Sequence, residues 1–350
     1  MRVVVIGATG NVGTSLLQAL SRDERVDSIL GIARRRPGLA FPRTDWAEAD
    51  VTSTDLRPHL LGADVVVHLA WAIQPSRDLR TLSEVNVEGS ARVFRAAGEA
   101  GVPALVYASS VGAYSPGPKD RYVDESWPAG GIDSSFYARH KAEVERRLDG
   151  FERERPAVRV VRVRPGLIFK REAAEGIRRL FAGPLFPSPL ARPGALPIFP
   201  DVPRLRFQGV HSLDVGEAYR LAAVGEARGA FNVAAEPVLD SAELARLLRA
   251  RLVPVPARVL RAATALSWRL RLQPTPAGWL DLALSVPLLD TTRARTELGW
   301  QPRHSASEAF CELLAGMRDR AEADTPPLSR RTSGRFRSRE FLSGVGGRGI

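Results

Sequence analysis

Residues 2–13 read Arg2-Val3-Val4-Val5-Ile6-Gly7-Ala8-Thr9-Gly10-Asn11-Val12-Gly13, and this stretch decides the fold. Arg2–Ile6 is a β-branched run without polar alternation, the pattern of a strand covered on both faces in a parallel sheet. It runs straight into a glycine-rich turn, after which the spacing of Val12, Leu16, Leu17 and Leu20 marks a helix. The glycines therefore lie between strand and helix, where backbone amides and the helix N-terminus receive a pyrophosphate. The predicted fold is α/β, a Rossmann-like doubly wound parallel sheet, with Gly7, Thr9, Gly10, Asn11, Val12 and Gly13 as cofactor-binding residues.

Working outward, a second strand over Ser28–Ala33 ends where such folds place an acid on the adenosine ribose. Here the chain has Ala33 followed by Arg34, Arg35 and Arg36. Guanidinium groups suit a 2′-phosphate, so the expected cofactor is NADP, with Arg34 and Arg35 as its contacts and NAD as the alternative. Residues 46–51 read as a third strand that delivers Asp50 to the adenine amino group. Residues 63–69 read as the fourth, with Ala70 small enough to let a cofactor approach the backbone. His68, inside that apolar run, reads as a core histidine. Residues 103–108 form the fifth strand and put Ser109 and Ser110 at its carboxyl end, where open parallel sheets bind ligands. Residues 158–163 form a further strand.

Between these last two strands stands Ser134-Ser135-Phe136-Tyr137-Ala138-Arg139-His140-Lys141, at the head of a helical pattern that runs toward Arg155. Tyr137 and Lys141 are four apart and share a helix face. A phenol near an ammonium ionises below its reference value of about 10, which suits it to acid–base work.

At 350 residues, 44% hydrophobic and 25% charged, the composition is that of a globular chain. The net charge of +11 is uneven, because six arginines against Glu340 give residues 325–350 a net +5. That segment is too polar to offset its ordering entropy and is expected to be disordered. The single cysteine, Cys311, excludes an internal disulfide and a multi-cysteine metal site, and reads as a buried filler. No metal is expected. No long apolar run or cationic leader pattern appears, which points to a cytoplasmic protein without a membrane span. Asp214 reads as a helix cap, and Asp240 with Glu243 as a capping pair. Residues 254–289, with Trp268 and Trp279, read as two helices packed within a small lobe, in competition with a membrane-contacting or dimer surface.

Several motifs together resemble the extended short-chain dehydrogenase/reductases of the NAD-dependent epimerase/dehydratase family. They are GATGNVG at 7–13, HLAW at 68–71, VNVEGS at 85–90, YASSVGAY at 107–114, YARHK at 137–141, RPG at 164–166, VHSLD at 210–214 and LGWQP at 298–302. The resemblance spans residues 1–320. It implies that Tyr137 is the catalytic acid/base, that Lys141 holds the nicotinamide ribose and lowers the tyrosine pKa, and that Ser110 orients the substrate oxygen. It also implies a supporting role for Asn86 and cofactor contacts from Val51, Leu69 and Pro165. Val111 and Gly112 follow Ser110 where family dehydratases carry acids, so a sugar 4,6-dehydratase is disfavoured.

On this reading residues 1–166, with a returning segment at about 204–236, bind the dinucleotide. Residues 167–203 and 237–323 form a smaller, mostly helical C-terminal substrate lobe, and 324–350 a basic tail. The implied function is NAD(P)-dependent hydride transfer at a carbonyl or carbinol carbon of a small molecule, a sugar nucleotide or another carbonyl or alcohol. A nucleotide-sugar epimerase with tightly held NAD is the first alternative and a non-catalytic dinucleotide sensor the second. A homodimer is compatible with either enzyme reading, and no specific nucleic-acid partner is expected.

Overall fold

The structure, a computed structural model, describes residues 1–74, 76–181, 187 and 190–329. Its centre is a seven-stranded sheet, parallel throughout. The strands are β1 (Arg2–Ile6), β2 (Ser28–Ala33), β3 (Thr44–Glu48), β4 (Val65–His68), β5 (Ala104–Ala108), β6 (Arg159–Pro165) and β7 (Gly229–Val233). Their spatial order is β7-β6-β5-β4-β1-β2-β3, which reverses direction beside β1 and leaves the crevice above its carboxyl end.

The main helices are α1 (Asn11–Leu20), α2 (Gly89–Glu99), α3 (Phe136–Glu154), α4 (Ala174–Phe181), α5 (Ser212–Val224), α6 (Ser241–Leu248), α7 (Ala257–Arg269), α8 (Gly278–Ser285) and α9 (Ala306–Asp319), of which α1 and α5 cover one face of the sheet and α2 and α3 the other. The unalternating strands explain why. Val3 and Val5 pack against Leu16, Leu17 and Leu20 of α1 and Val215, Ala218 and Tyr219 of α5. Val4 and Ile6, pointing the other way, join Val93, Phe94 and Ala97 of α2 and Val144, Leu148 and Phe151 of α3. A strand buried on both sides has no polar face to show. A third core, with Phe169, Leu239, Leu244, Ala309 and Leu313, ties α4, α6 and α9 together beyond the sheet.

Several local expectations differ from the structure. The third strand starts and ends earlier than residues 46–51, because the Asp50 carboxylate accepts from the Thr52 amide at 2.8 Å and turns the chain. Asp214 is not the cap of α5. His211 is, with Nδ1 accepting from the Leu213 amide at 3.2 Å, while Asp214 accepts from the backbone amide of His304 at 3.0 Å. Asp240 caps α6 by accepting from the Glu243 amide at 2.9 Å, but the Glu243 carboxylate is directed to Arg246 and Ser307. Cys311 is exposed, since α9 buries the stripe Ala306, Ala309, Leu313 and Gly316 and leaves position 311 off it. Within 254–289, α8 packs inward but α7 buries none of its residues. Thr325 and Leu328 are buried against the body, unlike the solvated tail expected from 324 onward. Residues 330–350 of that tail lie outside the described residues.

Candidate active site

The carboxyl ends of β1, β2, β4 and β5 lie along one edge of the parallel sheet and carry the candidate site residues. At the β1 end the backbone turns at Gly7 with φ of 87°, and a Cβ there would lie 2.6 Å from the Ala70 nitrogen. Only glycine fits, and the turn and the Leu69–Ala70 segment after β4 are thereby held in contact. Gly10 precedes α1 without any side-chain cap, so the first-turn amides at Asn11, Val12 and Gly13 keep their donors for a ligand. Thr9 is buried in the same turn, and Asn11 Oδ1 is buried without a partner among the described residues. These features fit a pyrophosphate, which supplies the acceptors that the amides lack.

Arg34 and Arg35 stand exposed at the tip of β2. Partial burial lowers the Arg34 pKa, and the nearby Asp50 carboxylate opposes that shift. Val51 is buried against Gly89 rather than open to the crevice. Asn86 has both ends of its amide taken by Ala72: Nδ2 donates to the carbonyl at 2.8 Å and Oδ1 accepts from the amide at 2.7 Å. It therefore fixes the loop after β4. Pro165 closes β6 beside Val233, one strand further along the same edge.

At the β5 end the two serines part. Ser110 Oγ accepts from the Gly112 amide at 3.0 Å and lies beside the Tyr137 ring across that glycine. A Cβ on Gly112 would lie 2.8 Å from Tyr137 Cε1, so this glycine admits the ring. Ser109 Oγ instead donates to Glu145. Tyr137, Lys141 and Glu145 form a column along α3, whose start is fixed by the Ser135 hydroxyl accepting from the Ala138 amide at 3.4 Å. Lys141 Nζ donates to the Ala108 carbonyl at 2.6 Å and lies 3.4 Å over the Trp71 ring, a cation–π contact.

Burial dominates the electrostatics here. It pushes the Tyr137 hydroxyl up to about 12, with the neighbouring Ser110 hydroxyl pulling the other way. It also lowers the buried Lys141 well below the ordinary ammonium range, against the pull of Glu145. The expected lowering of the tyrosine by Lys141 is absent from this structure. The ammonium faces a carbonyl and an indole, 5.8 Å from the Tyr137 ring centre. His68 is the core histidine expected: Nε2 lies 2.9 Å from Ser90 Oγ, and burial takes it down to about 3.

Behind the column, Arg164 Nε donates to Glu145 at 2.8 Å and Arg164 Nη1 to the Tyr114 hydroxyl at 3.0 Å. Tyr114 in turn donates to Asn232 Oδ1 at 2.7 Å. Burial raises the Glu145 carboxyl, but the Arg164 hydrogen bonds outweigh it and the net shift is downward. In front, Tyr137 packs on Trp279 with ring centres 4.9 Å apart and edge-on to Trp71 at 5.9 Å. Phe181 packs edge-on to Trp279 at 5.0 Å and lines a cavity of about 460 Å³ with Ala263, Thr264, Ser267, Gln273, Thr275 and Leu280. The sequence motifs thus come together in two groups, the glycine turn with Ala70 and the Ser110–Tyr137–Lys141 cluster. Trp71, Trp279, Phe181 and Glu145 carry no role assigned from the sequence. Only the i, i+4, i+8 alignment of Glu145 with Tyr137 signals its place.

The strand order and the open, capless helix N-terminus define a Rossmann-like nucleotide-binding protein. The chain belongs to the NAD dependent epimerase/dehydratase family, whose model matches residues 3–179. An uncharacterised protein of Mycobacterium tuberculosis is 28% identical over 323 residues, which cover 91% of this chain and 30% of that protein. The chain therefore spans less than a third of that relative's length. The L-arabinose 1-dehydrogenase (NAD(P)(+)) of Haloferax volcanii is 29% identical over 229 residues, 54% of this chain and 86% of that enzyme. The structure of Thermus thermophilus UDP-glucose 4-epimerase in complex with NAD is similar in fold, with a TM-score of 0.65 at 19% identity over 91% of this chain and 99% of that one.

Proposed function

We propose that the chain is an NAD(P)-dependent oxidoreductase that interconverts a carbonyl and an alcohol on a small molecule, with Tyr137 as acid/base. The observation that carries this reading is Tyr137 set beside Ser110 across Gly112, with Lys141 one helical turn on, at the carboxyl edge beside the glycine turn. A nicotinamide dinucleotide, when bound, supplies or accepts the hydride. The glycine-turn amides would hold its pyrophosphate, Arg34 and Arg35 a 2′-phosphate, and Asp50 the adenine. Ser110 positions the substrate oxygen, and Tyr137 gives its proton to that oxygen as the carbonyl is reduced. A hydroxyl held up to about 12 carries its proton at neutral pH, which suits the reductive direction. Lys141, one helical turn on, would hold the nicotinamide ribose.

The test is Tyr137→Phe, which deletes one oxygen and keeps the ring between Trp71 and Trp279. It is expected to lower kcat by about 10²- to 10⁴-fold and to leave dinucleotide affinity unchanged within about twofold. A variant that retains most of its turnover removes the acid/base assignment. A wild type that binds the dinucleotide and turns over none of a broad panel of carbonyls and nucleotide sugars returns the chain to the sensor reading.

A further inference from the structure

We propose that α7 is a docking surface for an anionic lipid membrane. Of the whole described fold, this helix is the long element least engaged with it, with no buried residue along Ala257–Arg269. Its outward stripe runs Val259, Ala262, Leu266 and Leu270, spaced three, four and four residues apart on one face. Val259, Leu266 and Leu270 are 54%, 59% and 60% exposed, and Leu272 just beyond is 50% exposed. An isolated exposed leucine needs no explanation, but a contiguous apolar stripe marks an interaction surface. The inward side is already used: Thr264 and Ser267 line the cavity with Phe181.

Charge decides the occupant. Residues 251–280 contain five arginines and no aspartate, glutamate or lysine. Arg261 pairs with Asp281 at 2.8 Å, whereas Arg258, Arg269 and Arg271 form no ion pair among the described residues and are all exposed. Arg258 and Arg269 flank the apolar stripe along one side. A second copy of the chain docked through a two-fold axis would set these arginines against themselves. The C-terminal residues 330–350 carry the same sign and are repelled equally. A surface of phosphate-bearing lipid accepts both features at once, because acyl chains take up the leucines while headgroups neutralise the guanidinium rim. The helix then lies in the plane of the interface and the chain does not span the bilayer, which agrees with the absence of any described helix long and apolar enough to cross one.

Flotation of the full chain with vesicles tests this. Vesicles of phosphatidylcholine alone are compared with phosphatidylcholine containing about 30% phosphatidylglycerol, at low and high salt. The wild type is expected to partition at least about tenfold more strongly onto the anionic vesicles. The double variant Leu266→Asp/Leu270→Asp is expected to lose that partitioning with a melting temperature changed by no more than a few degrees, because both side chains are mostly exposed. The triple variant Arg258→Gln/Arg269→Gln/Arg271→Gln keeps the leucines and is expected to bind weakly and without the salt dependence. No partitioning by the wild type overturns the proposal. So does full binding by the leucine variant, which assigns the attraction to the arginines of 330–350. A leucine variant that dissociates a wild-type dimer, with no vesicle binding by either protein, makes the stripe a subunit interface instead.

Discussion

The two sides of Tyr137 are built of different material. Toward the sheet stand Ser110, Lys141, Ser109, Glu145 and Arg164, polar side chains whose hydrogen bonds run from strand end to helix and on to Tyr114 and Asn232. Toward the lobe stand Trp71, Trp279 and Phe181, in contact through ring faces and edges. The polar side is delivered by regular elements, β5, β6 and α3, whose geometry leaves each donor one place to go. The aromatic side is delivered by the segment after β4, the end of α4 and α8. The first arrangement fixes where a proton moves, and the second shapes what is brought to it.

Removing the centre of the polar side should have the largest effect. Glu145 and Arg164 have side chains only 5% and 7% exposed and pair with a second hydrogen bond at 2.8 Å. Glu145→Ala leaves the buried Arg164 guanidinium without its carboxylate, which should destabilise the fold by about 3 to 5 kcal/mol in urea titrations. The pH dependence has a definite sign. Arg164 holds the Glu145 pKa below its unfolded value of about 4.3, so its contribution is present above that pH and is lost as pH falls through the folded value. The variant should therefore show a flatter loss of stability below about pH 4.3 than the wild type. Equal acid sensitivity in the two proteins would show that the network merely fills space.

The aromatic side should yield less stability and more specificity. Trp279→Ala removes the ring 4.9 Å from Tyr137 and opens the wall it shares with Phe181. A half-buried indole contributes on the order of 1 to 2 kcal/mol, so KM for an accepted substrate should rise about tenfold. Burial is also what holds the Tyr137 hydroxyl at about 12. Water admitted by the smaller side chain should lower that value and move the basic limb of the pH–rate profile toward neutrality. A basic limb that stays in place would assign the raised pKa to the polar side alone.

The same contrast explains what is legible in the sequence. The bounds of β1 and β2 are readable because a strand buried on two faces is a run of valine and isoleucine that stops where the backbone leaves the sheet. Tyr137 and Lys141 are readable because one helix carries both at a fixed pitch. Trp71, Phe181 and Trp279 come from separate segments joined only by the fold, so no periodicity connects them. The same apolar spacing describes a helix that packs and a helix that faces solvent, which is why spacing alone puts α7 in the lobe core. Asp214 reads as a cap because aspartate commonly caps helices, whereas the His211 imidazole caps α5 through the Leu213 amide and Asp214, inside the first turn, accepts from His304. Ser110 is separable from Ser109 in sequence only through the motif it shares with the family, and the fold alone shows that Ser109 turns to Glu145 while Ser110 turns to Gly112 beside Tyr137.

The smallest effect concerns arginines that differ from Arg164 in every respect. Arg34 and Arg35 are exposed and form no ion pair among the described residues, while Ala33 occupies the position where a carboxylate would grip the ribose of NAD. An unpaired guanidinium at a strand tip costs little to leave in water and gains a charge-assisted hydrogen bond when a 2′-phosphate arrives. At an exposed site that gain is about 1.5 kcal/mol, so NADPH should bind roughly tenfold more tightly than NADH. Arg34→Ala/Arg35→Ala should remove most of this difference without altering stability, since neither side chain supports the fold. Adding Ala33→Asp should reverse the preference, because the new carboxylate accepts from the ribose hydroxyls and repels the phosphate. Titration of both dinucleotides against the three proteins reads the result directly. If the wild type already prefers NADH, the arginines are solvated surface and Asp50 is left as the adenosine contact, which shifts the weight of the functional reading from net reduction to an epimerase that retains its NAD.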